Sequence, residues 1–302
     1  QRPGGVLTTV TQPKTLVELL GEAATRTPER VAVISAGAST TFAELDSQTR
    51  SLAYWLAAST QRGDRVAIIA ENGLPYVQCY YGVPRGGRIL ALINQRLSAG
   101  EQLSALRVAE PRVVVGDRRY LDQIGRAAGA LPDGLRLVSF DSSEWQQATQ
   151  GKDTAAFTDS AEPDDPAWLV FTSGSTGHPK AVIHTQQSLA ASVQGTVHGR
   201  RVSDGGVYLF PFPMCHIAGY NVLVRHARFS TVVLQERFDA EEFVDLVSRH
   251  RVTACSLAPT MLHALLRYAD RTGVTMPTLR EVAYGSSAIS ADLISRATTR
   301  LN

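Results

Sequence analysis

Between two short apolar runs, Leu169-Val170-Phe171 and Ala181-Val182-Ile183, lies a segment built mostly of hydroxyl residues and glycine: Thr172-Ser173-Gly174-Ser175-Thr176-Gly177-His178-Pro179-Lys180. The flanking runs have strand length, and Pro179 cannot donate to a ladder, so the segment must project from a sheet end as a loop. Gly174 and Gly177 let backbone amides approach an anion closely and turn through positive φ. Thr172, Ser173, Ser175 and Thr176 add hydroxyls, and Lys180 adds a point charge. A loop so dense in donors and free of acids suits a triphosphate best. It is not a Gly-Lys-Ser/Thr phosphate loop, because His178-Pro179 precede the lysine and a strand-like run follows. The bland alternative is a polar surface turn.

Around this loop the chain alternates helix and strand signals. Helical spacing over 15–24, with Thr15 as cap, precedes a strand at 31–34 and a second helix from Phe42 to Thr60. A strand over 65–70, a helix over 75–85, a strand over 89–93, a helix capped by Ser98 and a strand at 112–115 repeat the pattern. Beyond the loop come a helix over 187–199, strands at 207–210 and from Val252, a helix from Thr260, and a strand ending in the 285–288 turn. This order predicts an α/β class, layered mixed β-sheets flanked by helices, with largely buried strands. Arg118-Arg119 reads as a solvated turn, and the polar stretch 141–165 as a surface connection.

Composition excludes several classes. With 302 residues, 44% hydrophobic and 19% charged, the chain is long enough for more than one core. A net charge of +2 with mixed signs leaves no footprint for nucleic acid or an anionic membrane. Cys79, Cys215 and Cys255 lie far apart in apolar surroundings and read as buried free thiols, not a metal site or disulfide framework. No apolar run nears the roughly 20 residues that span a bilayer, and no signal-peptide core opens the chain. The cytoplasm is the expected address.

The run from Phe171 to Lys180 resembles the signature loop of the adenylate-forming superfamily: acyl-CoA synthetases, peptide-synthetase adenylation domains and luciferases. Ala181 stands where that family usually has Gly. Upstream, Arg85-Gly86-Gly87, Asn94-Gln95-Arg96 and Glu110-Pro111-Arg112 fit its succession of helix end, Asn-x-Arg turn and Pro-led valine strand. Downstream, Pro213-Met214-Cys215-His216-Ile217-Ala218-Gly219 resembles its Pro-x-x-His-x-x-Gly motif, with Cys215 where an aromatic is frequent. Ala258-Pro259-Thr260-Met261-Leu262 is similar too, although a strand-to-helix joint is reason enough for that pattern. Gly285-Ser286-Ser287-Ala288 aligns with the turn that supports adenine and one wall of the acyl pocket, with Ala288 replacing the usual Pro.

The resemblance implies the truncated large N-terminal domain of an adenylate-forming enzyme, with approximate subdomains 15–70 with 200–302 and 71–199, and no C-terminal domain. ATP would lie against Thr172, Ser173, Gly174, Ser175, Thr176, Gly177 and Lys180, and against Gly285, Ser286, Ser287 and Ala288. His216 would be catalytic, beside the carboxylate of the acid, in a pocket of Ile217, Ala218, Gly219 and Tyr220. Thr172 would be a minor ligand of Mg2+, with the principal one beyond residue 302. The implied partners are a small carboxylic acid, ATP and CoA, the products acyl-AMP and then acyl-CoA. An apolar, fatty acid is expected, because Ile217, Ala218, Gly219, Tyr220 and Val222 bring no carboxylate to meet an amino acid's ammonium. An amino-acid or aryl-acid adenylation domain and a non-catalytic nucleotide- or acyl-binding scaffold remain as alternatives. Family motifs carrying a Glu, an Asp and the adenylation Lys are expected after Asn302. Residues 1–302 alone are therefore expected to be nearly inactive and, with apolar surface and a sheet edge uncovered, to self-associate.

Overall fold

Helix starts are written locally. Thr15, Thr41 and Ser98 each accept from the backbone N–H of a Glu three residues on, and that Glu's carboxylate takes the cap's own N–H. The computed structural model describes residues 12–127, 134–150, 157–172, 179–285 and 287–301. In chain order the first elements are α1 (Leu16–Arg26), β1 (Val31–Ser35), β2 (Ala38–Thr41), α2 (Phe42–Ala57), β3 (Arg65–Ile69), α3 (Leu74–Arg85), β4 (Ile89–Leu92) and α4 (Ala99–Ala109). Then follow β5 (Val113–Gly116), α5 (Arg118–Ala127), β6 (Arg136–Ser139), α6 (Ser143–Gln150), β7 (Pro166–Thr172), β8 (Lys180–Thr185), α7 (Gln186–Gly199) and β9 (Val207–Phe210). The last are α8 (Tyr220–His226), β10 (Thr231–Leu234), α9 (Ala240–His250), β11 (Ala254–Leu257), α10 (Pro259–Thr272), β12 (Glu281–Tyr284) and α11 (Ala291–Arg300).

These strands form two six-stranded sheets, ordered β12-β11-β9-β10-β1-β2 and β6-β5-β3-β4-β7-β8. Each is parallel except for one antiparallel edge strand, β2 or β8. Parallel strands need both faces covered, and the period of two supplies both. In β3, Val66 and Ile68 enter the core between the sheets, while Ala67 and Ile69 face the outer core. Helices α1, α2, α3, α7 and α8 fill the space between the sheets; α9, α10 and α11 cover the outside of the first, α4 and α5 the outside of the second. The crossing of α2 and α3 is close enough that a Cβ on Gly82 would lie 2.9 Å from Leu52 Cδ2.

The first sheet draws on residues 31–41 and 207–284, the second on 65–185, so β3 pairs with the strands of the 71–199 region and not with those of 15–70. Two local expectations are corrected. Arg118 and Arg119 open α5 instead of a solvated turn: Leu121 and Ile124 bury one face, Arg118 meets Asp141 at 2.8 Å, and Arg119 meets Glu71 at 3.0 Å. The stretch after Asp141 is not all surface connection, for Ser142 Oγ accepts from Trp145 N–H at 3.1 Å and starts α6, which buries Trp145 and Ala148. One tryptophan among glutamines and threonines carries little periodicity, yet its burial anchors the helix. The three cysteines are buried and free, as read from the sequence.

Candidate functional site

Parallel strands of one sheet send their carboxyl ends to one edge, where open α/β sheets take ligands. The segments after β7, β9 and β12 all leave at such ends. Asn72, just past β3, ties the two edges together. Its Nδ2 donates to the carbonyls of Phe212 at 2.6 Å and Gln235 at 2.9 Å, and its Oδ1 accepts from Met214 N–H at 2.9 Å.

The hydroxyl- and glycine-rich segment springs from the β7–β8 hairpin, whose last pair is Thr172 opposite Lys180. Thr172 Oγ1 donates to the Lys180 carbonyl at 3.4 Å, and both residues are exposed. Ser173, Gly174, Ser175, Thr176 and Gly177 lie outside the described residues, as does Ser286.

After β9, Pro211 and Pro213 end strand pairing. The chain then makes a short 3-10 turn over Ile217–Gly219 before α8. His216 is exposed and makes no side-chain hydrogen bond among the described residues. Partial burial of its ring, followed by the nearby Arg96 charge, holds its pKa below the usual histidine value. A neutral imidazole follows at pH 7, able to donate one N–H to an oxygen. Beside it Ile217 is 45% exposed, Ala218 and Tyr220 are half-buried, and the Tyr220 hydroxyl lies 3.2 Å from Thr196 Oγ1. Burial pushes the Cys215 thiol up to about 12, which leaves it unreactive.

At the end of β12, a Cβ on Gly285 would have no heavy atom within 4 Å, so the space beside its backbone is open. Ser287 and Ala288 are exposed there. No hydrogen bond or ion pair among the described residues joins this turn, Lys180 and His216 to one another. All three stand at carboxyl ends of the sheets' parallel strands.

A profile of the AMP-binding enzyme family matches residues 20–302. The chain belongs to that family. It is 27% identical over 289 residues to a fatty acid:acyl-carrier-protein ligase of Streptomyces coeruleorubidus, covering 94% of this chain and 55% of that protein. It is 29% identical over 248 residues to a 2-succinylbenzoate–CoA ligase of Bacillus velezensis, covering 81% of this chain and 49% of that protein. The chain thus spans about half the length of the curated relatives it matches. A solved Mycobacterium tuberculosis fatty acyl CoA synthetase superposes with a TM-score of 0.87 at 22% identity, over 95% of this chain and 58% of that one. That likeness is one of fold, and it agrees with the layered N-terminal domain of an adenylate-forming enzyme.

Within this AMP-binding domain the structure adds residues that sequence reading passed over. Glu71 sits nearly buried among Arg119 at 3.0 Å, Gln95 Nε2 at 3.0 Å, Arg237 Nη2 at 2.6 Å and the Tyr120 hydroxyl at 2.5 Å. Burial alone would raise its carboxyl, but hydrogen bonds from Tyr120, Gln95 and Arg237 outweigh that and hold it below the usual range. The available signal was the polar pair Glu71-Asn72 closing an otherwise apolar strand. Among the described residues no three His, Cys, Asp or Glu side chains gather as metal ligands. Thr172 offers a single hydroxyl, which alone does not fit a magnesium site.

Proposed function

We propose that the whole protein activates an apolar, fatty carboxylic acid with ATP and passes the acyl group to CoA. The observation that carries this reading is the departure of three segments, the hydroxyl- and glycine-rich loop, the His216 loop and the 285–288 turn, from the carboxyl ends of β7, β9 and β12 in an AMP-binding chain. A carboxylate oxygen attacks the α-phosphorus, the bond to pyrophosphate breaks, and acyl-AMP forms. A CoA thiol then attacks the acyl carbonyl, giving its proton to solvent while AMP leaves. Carboxylate and phosphate repel each other, so the domain's task is to hold both and to offset the developing charge, each preorganised donor contributing roughly 3 kcal/mol.

Thr172, Ser173, Gly174, Ser175, Thr176, Gly177 and Lys180 take the phosphates in this reading, and Gly285, Ser286, Ser287 and Ala288 the adenine. Neutral His216 lies against the acid's carboxylate, with Ile217, Ala218, Gly219 and Tyr220 along its apolar part. Magnesium, when bound, would neutralise phosphate charge, but the described residues, with Thr172 the single hydroxyl offered, do not by themselves make a site for it. The fatty-acid relative supports an aliphatic substrate, and the 2-succinylbenzoate relative favours an aryl acid as second reading. We place the reaction in the cytoplasm, where ATP and CoA are held. No helix among the described residues is long and apolar enough to cross a membrane.

ATP–pyrophosphate exchange by the full-length protein, across fatty, aryl and amino acids, tests this. Exchange with apolar acids is expected, falling about 100-fold in Lys180→Ala and in His216→Ala. Exchange with amino acids only would overturn the substrate, and ATP binding without exchange for any acid would turn the reading to a scaffold.

A further inference from the structure

The backbone that carries His216 has left its sheet and has no ladder to hold it. Its fixings come from the other sheet. Asn72 spends both N–H groups on the Phe212 and Gln235 carbonyls and its oxygen on Met214 N–H, while itself 7% exposed. Tyr80, fully buried on α3, donates to the Met214 carbonyl at 2.5 Å. Its ring lies 4.3 Å from that of Trp168 and edge-on to Tyr76 at 5.3 Å, so the hydroxyl has a fixed origin. Met214 is thereby gripped at both its N–H and its C=O, two residues before His216.

The far side of the loop closes on the same hydroxyl. A Cβ at Gly219 would lie 1.9 Å from Tyr80 Oη, so only glycine lets the chain pass, and Gly219 N–H donates back to the His216 carbonyl at 2.9 Å. His216 is thus bracketed by one fixed point before it and one after it. Nothing comparable holds its imidazole, which makes no side-chain hydrogen bond among the described residues. The placement of the ring follows from the placement of the backbone.

We propose that Asn72, together with Tyr80, is the positioning pair of His216, fixing the 212–219 backbone so that the imidazole stands at the carboxyl edge. Both act through Met214 and not on the substrate. The inference rests on the reading of His216 as the group beside the acid. A clamp that merely stapled the two sheets would affect stability alone; a positioning clamp also sets the environment of the His216 ring, which is partly desolvated and near Arg96.

NMR titration of His216 separates the two, with its resonance identified by loss in His216→Gln and with melting temperature measured alongside. Asn72→Leu keeps the branched shape with somewhat greater bulk, removes all three bonds and adds no charge. The His216 pKa is expected to rise toward the ordinary histidine value as the loop detaches and the ring regains water. Val247→Ala, in the core on the outside of the first sheet, is the control for destabilisation alone and is expected to leave the titration unchanged. An unmoved His216 in Asn72→Leu, or an equal rise in Val247→Ala, would overturn the proposal. Should Asn72→Leu fail to fold, Tyr80→Phe keeps the ring and removes one bond; it must show a rise of the same sign, and none would overturn the proposal equally. In the exchange assay, kcat/KM for the acid is expected to fall about 100-fold in Asn72→Leu with KM for ATP unchanged. If the titration moves but His216→Ala exchanges at the wild-type rate, the role given to His216 fails while the clamp stands.

Discussion

Two histidines, one before the 3-10 turn that leads into α8 and one at the helix's end, are not distinguished by residue type alone. His216, just before the turn, is exposed and has no side-chain hydrogen bond among the described residues. His226, the last residue of α8, is fully buried, with Nε2 3.1 Å from the Ala32 carbonyl and Nδ1 2.9 Å from the Tyr81 hydroxyl. A carbonyl only accepts, so Nε2 of the neutral ring carries the proton and Nδ1 accepts from tyrosine. Ala32 is where the β1–β2 register slips, between Val31 opposite Thr41 and Val33 opposite Thr40. The ring there serves an irregular point of the sheet edge and packs edge-on to Phe42 at 5.2 Å. Satisfied nitrogens mark the histidine that holds the fold; free ones mark the histidine available to a ligand.

The widest separation between the two sites should appear in stability. His226→Ala opens a cavity between Phe42 and Tyr81 and strands the Ala32 carbonyl and Tyr81 hydroxyl, a loss of roughly 4 kcal/mol. Urea denaturation monitored by circular dichroism measures it. A loss under about 1 kcal/mol would mean that the buried ring is dispensable and would dissolve the contrast.

Acid sharpens the contrast next. Burial lowers the His226 pKa to about 4, against about 6.5 in the unfolded chain. The unfolded state therefore binds the extra proton first, so stability is full above about pH 6.5 and declines as pH falls toward 4, by roughly 3 kcal/mol in all. Most carboxylates protonate lower, so the upper half of that window reports chiefly on histidine. His184, His216 and His250 are shifted the same way and add to the slope. Stability measured from pH 7 to pH 5 should fall in the wild type and much less in His226→Gln. Equal slopes would show that His226 titrates normally.

How far this was legible in the sequence depended on how local each cause was. Capping by Thr15 and Ser98, the strand runs and the Pro-led loop before His216 are set by neighbours in the chain, and each element formed where its residues predicted. The family, too, was legible from motifs a few residues long. β2 was not, since Ala38 to Thr41 became a strand only by pairing with β1. Nor was α6, whose one large apolar residue finds its partners far away in sequence. Asn72 and Tyr80 belong with these: each meets the His216 loop from more than a hundred residues away, as the separations of 142 and 134 show. A buried asparagine looks like any polar strand end until the carbonyls it serves are in place.

The smallest stability effect should belong to the residue of greatest chemical consequence. His216→Ala removes an exposed ring that has no side-chain hydrogen bond among the described residues, and its backbone is held by Asn72, Tyr80 and Gly219 whatever the side chain. Its unfolding free energy should stay within about 0.5 kcal/mol of wild type at pH 7. Because the native ring is held neutral, any small difference should lie on the acid side: the wild type loses stability there as the unfolded histidine protonates, and the variant does not. A loss of about 2 kcal/mol or more at pH 7 would mean that the ring is packed into the fold like His226, and the distinction between the two histidines would go with it.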